Sequence, residues 1–152
     1  LVGSEMCIRD RHMIGNSSVN SLDQKFAQRM HVTDETLTAQ VQTINLNNYI
    51  RTHGVDKIDF LKVDCEGAEH QIFQSLDPDI LKYLVKTISM EVHSMNDQDS
   101  EDYTKENKRL LTELIDKLES CGFEVEVDDG LKLEHFETGN PGFGGMLYAK
   151  KV

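Results

Sequence analysis

Apolar residues along this chain gather into short runs whose spacing switches between strand and helix periods. "KIDFLKVD" sets Ile58, Phe60, Leu61 and Val63 in a nearly continuous apolar run. That is the pattern of a parallel strand covered on both faces. The run stops at Asp64, after which Ala68, Ile72, Phe73 and Leu76 recur on one helical face, with Pro78 just beyond. "VKTISMEVH" is a second strand-like run that ends in the polar pair Glu91 and His93. Leu110, Leu111, Leu114, Ile115 and Leu118 then mark a helix from about Lys105 to Ser120, closed by Gly122.

The flanking segments complete the order. "AQVQTINL" alternates like a strand, and "NLNNYIRTHG" suits a short helix with an Asn cap and Gly54 as its stop. Residues 12–40 are polar and weakly patterned, with "GNSSVNSLD" as loop and "LDQKFAQRM" as a short helical turn. The acidic "DQDSEDYTK" reads as solvated surface. "FEVEV" and "LKLEHF" flank "DDG", a hairpin signal, and "MLYAKK" is a final strand. Strand–helix alternation followed by consecutive strands predicts a mostly parallel α/β sheet with an antiparallel last strand.

Composition narrows the function. With 152 residues the chain makes one domain, and 38% hydrophobic and 28% charged residues are ordinary for a globular protein. A net charge of -11 argues against nucleic-acid and anionic-membrane partners, which need clustered Lys and Arg. No apolar stretch is long enough to span a bilayer. Cys7, Cys65 and Cys121 form no CxxC pair, which points to reduced cytoplasmic thiols rather than a zinc or redox site. Acids beside Cys65 raise a thiol pKa, so Cys65 reads as a small residue at a crowded turn. "LVGSEMCIRDR", residues 1–11, lacks the pattern of a signal peptide and resembles a translated sequencing adapter. These residues are set aside from fold reasoning, leaving 12–152 as the domain.

Ligands of open parallel sheets bind beyond the carboxyl ends of the strands. Asp64, Glu66, Glu91 and His93 all fall at such ends. Each also has a plain structural explanation. Acids in a first helical turn gain about 0.3–1 kcal/mol from the macrodipole, which accounts for Glu69. Asp64 would serve as an N-cap, and a lone histidine is more often structural than catalytic. Two strands that both end in acid pairs are harder to explain by capping. His12, His31, His53, His70 and His135 fall in loops or on polar helix positions, whereas His93 has apolar surroundings. The four strand-end groups also suit a divalent ion, but hydrogen-bond acceptance explains them equally well, and no metal is expected. "NPGFGG" precedes a strand rather than opening a helix, so it is no dinucleotide fingerprint.

"TINLNNYIRTHGVDKIDFLKVDCEGAEHQIFQSL" resembles the signature of the FkbM family of S-adenosylmethionine-dependent methyltransferases. The block Ile58, Asp59, Lys62, Asp64, Glu66, Gly67, Glu69 carries the likeness. "ISMEVH", "LESCGFEVEV", "GGMLYAKK" and the serine-rich "NSSVNSL" extend it from about Asn16 to the C-terminus. The resemblance implies a Rossmann-like class I methyltransferase fold, S-adenosylmethionine as cofactor, and methylation of a hydroxyl on a small molecule or sugar. It also implies that Asp64, Cys65 and Glu66 border the cofactor, that Glu91 and His93 face the acceptor, and that Asp64 or His93 is the base. Lys62 is expected to pair with a neighbouring acid. The family's first strand, its glycine-rich cofactor loop and the ribose-binding acid of its second strand have no counterpart here. The N-terminal strands are therefore expected to be missing, and the chain by itself inactive. Two rivals are a receiver-like domain, which needs an earlier acid pair and later Thr and Lys, and a non-catalytic acidic interaction module.

Overall fold

The structure, a computed structural model, describes residues 7–13, 37–94, 103–132 and 144–152. Strands β1 (Cys7–Met13) and β2 (Leu37–Thr43) pair antiparallel as a two-stranded ribbon, with Cys7 opposite Thr43 and Met13 opposite Leu37. Residues 7–11, set aside on sequence grounds, thus take part in a strand. Ladder pairing draws only on backbone groups, so a polar segment can join it. The "LDQKFAQRM" turn and the "DQDSEDYTK" loop tip lie outside the described residues, as does most of "LKLEHF".

Helix α1 (Leu46–Thr52) starts where Asn45 accepts a hydrogen bond from the Asn48 N–H, and it stops before Gly54 at φ 61°. Strand β3 (Leu61–Val63) leads into α2 (Glu69–Ser75), α3 (Pro78–Tyr83) and β4 (Thr87–His93). Helix α4 (Tyr103–Ser120) is followed by β5 (Phe123–Val127), and β6 (Gly144–Lys151) ends the fold. These strands form one sheet in the order β3-β4-β6-β5. β3 and β4 are parallel, and β6 lies antiparallel to both β4 and β5. β5 therefore runs the same way as β4, and the last strand is the reversed one, as expected.

Three elements depart from the sequence pattern. Pro78 does not merely end the preceding helix. It sits in the first turn of α3, where a missing N–H costs nothing, behind an Asp77 cap that accepts from Asp79 N at 3.0 Å. At "DDG" the described chain forms a short turn, and residues 133–136 of "LKLEHF" lie outside the described residues. Asp128 caps a 3-10 turn over Asp129–Leu131, and β5 finds its partner in β6. Among the described residues the β3 run is not covered on both faces. Phe60 is 59% exposed, Lys62 is exposed, and β3 is the edge strand among the described residues.

The described sheet has one covered face. Val63, Ile88, Met90, Val92, Leu147 and Ala149 point into the core, where Phe73 and Leu76 of the α2 segment and Leu111, Leu114 and Leu118 of α4 meet them. Their neighbours Lys62, Glu91 and Tyr148 face outward, the alternation of a half-covered sheet. Lys117 of α4 fastens the helices by donating to the carbonyl of Leu76 at 2.7 Å, among the last carbonyls of the α2 segment.

This arrangement sets an expectation for stability. Leu147→Ala, at a fully buried position of β6, should lower unfolding free energy by about 2–5 kcal/mol. Tyr148→Ala, one residue on and 48% exposed, should cost about 1 kcal/mol or less. Urea melts compare the two, and equal losses would show that both faces of β6 are covered.

Candidate functional site at the strand ends

Parallel pairing of β3 and β4, with Val63 beside Met90, brings the carboxyl ends of both strands to one edge of the sheet. Asp64 leaves β3 there, and Glu91 and His93 finish β4. The chain then turns sharply through Glu66 at φ 49° and Gly67 at φ 98° before entering α2. Glycine adopts that conformation freely, whereas for Glu66 it costs about 1–2 kcal/mol.

Glu69, the first residue of α2, stabilises this turn. Its carboxylate is fully buried. Oε1 accepts from the Cys65 N–H at 2.8 Å, and Oε2 accepts from the Gly67 N–H at 3.1 Å. The same Oε1 lies 3.1 Å from Nδ1 of His93. The other ring nitrogen of His93, Nε2, is 3.5 Å from Glu66 Oε2 and 3.6 Å from Glu91 Oε1. His93 lies opposite Gly144 of β6, where a Cβ would meet the Val92 carbonyl oxygen at 2.3 Å. The absent side chain lets β6 pass close to the site.

Charge sets opposite directions for the two groups of the pair. Burial pushes the Glu69 carboxyl up, but the hydrogen bond to His93, its charge and the Cys65 N–H outweigh that and hold it below the usual range. Burial pushes His93 down, and the bond to Glu69 with the charges of Glu69, Glu66 and Glu91 raises it above the ordinary imidazole value. Glu66 is raised, chiefly by burial and then by Asp64, Glu91 and Glu69 against the lowering effect of His93. Burial also raises the Cys65 thiol, with the acids adding to it, so Cys65 is no nucleophile.

The structure therefore gathers Asp64, Glu66, Glu91 and His93 at one strand-end site. Cys65 belongs to it through its backbone N–H. Lys62 pairs with Asp64 at 3.0 Å, as its position implied. Two structural explanations change. Asp64 is not an N-cap, because the N-cap of α2 is Ala68, with no side-chain cap bond. Glu69 is more than a first-turn acid, since its carboxylate holds both the turn and the histidine. Its signals in the sequence are its place two residues after Gly67, where the chain reverses, and its membership of the family-like block. His70 is likewise no surface residue. It is 5% exposed, and its Nδ1 has no hydrogen-bond partner among the described residues. Asp64, Glu91 and His93 each offer a ligand atom within 4.8 Å of one another, a spacing a divalent ion can bridge. Asp64 and Glu91 are exposed, however, and the Lys62 ammonium already occupies the Asp64 carboxylate.

An α/β sheet with a carboxylate–imidazole cluster at its parallel strand ends is the class of architecture that carries a ligand site at that edge. The model of the Methyltransferase FkbM domain matches residues 8–125, and the chain belongs to that methyltransferase family. Neither the curated proteins nor the solved structures gave a match. Family membership favours methyl transfer over the receiver-like and non-catalytic readings. Among the described residues no helix is long and apolar enough to cross a membrane.

The pair also predicts a pH window. Raised His93 contributes stability that is complete below its ordinary value of 6.5 and fades as pH rises through its folded pKa. Depressed Glu69 contributes stability that is complete above its ordinary 4.5 and fades as pH falls through its folded pKa. The stability lost in His93→Gln should thus be greatest between these two values and shrink at alkaline pH. Thermal melts across pH test it, and a loss that grows with alkalinity would contradict the pairing.

Proposed function

We propose that this protein transfers the methyl group of S-adenosylmethionine to a hydroxyl oxygen of a small molecule or sugar. The observation that carries this reading is the convergence of His93 Nε2 with Glu66 and Glu91 at the ends of two parallel strands, in a member of a methyltransferase family. Carboxylates suit a cofactor that bears a positive sulfonium, and Asp64, Glu66 and the Cys65 backbone supply the acidic turn that would border it. When bound, S-adenosylmethionine supplies an electrophilic methyl group. Glu91 and His93 would face the acceptor.

The chain's own residues must align the acceptor and remove its proton. His93 is the better placed base. Its raised pKa matches the uptake of a proton, and Glu66, Glu69 and Glu91 stabilise the imidazolium that forms. Asp64, held by Lys62, orients the acceptor or serves as the base in its place. The free thiols of Cys65 and Cys121 agree with a reducing, cytoplasmic setting.

Calorimetry with S-adenosylmethionine on the intact protein, followed by label transfer from methyl-tritiated cofactor to hydroxylated acceptors, tests the reading. Neither binding nor transfer would end it. Asp64→Asn should keep the fold, since Asp64 caps no helix. Of Asp64→Asn and His93→Gln, at least one should lower turnover by about 10²-fold or more with cofactor affinity retained. Wild-type rates in both would show that these residues only finish the strands.

A further inference from the structure

We propose that Glu69 is the positioning residue of this site: its buried carboxylate fixes His93 as the Nδ1–H tautomer and turns Nε2 toward Glu66 and Glu91. The activity arm of this inference rests on the methyltransferase reading above, whereas the tautomer itself does not.

An ionised carboxylate only accepts hydrogen bonds. Glu69 Oε1 already accepts from the Cys65 N–H and stands 3.1 Å from His93 Nδ1. An acceptor at that distance requires the hydrogen to sit on Nδ1. In the neutral ring Nε2 then carries the lone pair, and it is the nitrogen that looks toward the carboxylates 3.5 and 3.6 Å away. Those gaps exceed an ordinary hydrogen bond, in contrast to the 3.1 Å contact at Nδ1.

Helix-dipole stabilisation does not account for Glu69. That effect is worth about 0.3–1 kcal/mol. Removing a carboxylate from water costs several kcal/mol unless it is paired. Fully buried, Glu69 persists because the Cys65 and Gly67 N–H groups and the His93 ring surround it. The same carboxylate thus joins the turn that carries Glu66 to the strand end that carries His93. Among the described residues, the titratable groups facing the imidazole include Glu69 and His70 of α2, Glu66 of the turn, Asp64 after β3 and Glu91 of its own strand. Of these, Glu69 alone is within 3.1 Å of a ring nitrogen.

Glu69→Gln is the informative variant, since its amide oxygen can still accept from Cys65 and Gly67 while the charge is gone. Side-chain nitrogen NMR of the full chain, with His93→Gln assigning the signal, reads both tautomer and titration. In the wild type, neutral His93 should be the Nδ1–H form with a midpoint above the ordinary 6.5. In Glu69→Gln the midpoint should fall, because the charge is gone while an acceptor remains at Nδ1. Methyl-transfer turnover should drop by about 10-fold or more with cofactor affinity held, and the rise of rate with pH should move to lower pH. A neutral wild-type His93 protonated on Nε2, or an unmoved midpoint in Glu69→Gln, overturns the proposal. Should Glu69→Gln fail to fold, the wild-type tautomer decides alone. The expected spectra together with wild-type rates in His93→Gln would support the positioning and remove His93 as the base.

Discussion

Glu69 has no contact with solvent, and an ionised carboxylate tolerates that only while donors surround it. Two of the donors are backbone N–H groups of the turn after β3, and the third faces it from the end of β4. One side chain therefore fixes the shape of the loop, the entry to α2 and the orientation of His93. Without it, the Cys65 and Gly67 N–H groups would be left unsatisfied, at about 1–3 kcal/mol each where buried. Glu66 would also lose the contacts that hold it in a left-handed conformation.

The sheet supplies the frame for this arrangement. A parallel pair places both strand ends on one edge, where residues separated by more than twenty positions, such as Glu69 and His93, come into contact. The covered face anchors the strands through Met90, Ile88 and Leu147. The opposite face carries Lys62 and Glu91, and Lys62 places the cation nearest Asp64. Acidity is thus concentrated rather than spread, and it is balanced locally by one exposed lysine and one buried imidazole.

That balance explains why neighbouring groups titrate in opposite directions. Glu69 and His93 favour each other's charged forms, while Glu66 is pushed toward neutrality, chiefly by its burial and then by the neighbouring acids. The Glu69–His93 pairing also stabilises the fold in mildly acidic solution, where both groups carry charge.

Much of this was readable in the residue pattern. Periodicity placed the central strands, the long helix ending at Gly122 and the Asn45-capped helix, because each reports a local preference for burial or capping. The ends of the two apolar runs also located Asp64, Glu66, Glu91 and His93. What the pattern did not contain was which face each element would bury. Phe60 reads as core but lies at the edge, His70 reads as surface but is buried, and Asp64 reads as a cap although α2 begins five residues later. "FEVEV" and "DDG" read as a local hairpin, yet β5 pairs with a strand far along the chain. Glu69 is the sharpest case. Sequence spacing sees only a first-turn acid, because burial and the approach of His93 arise when β3 and β4 pair, and no local preference encodes a contact made across that distance.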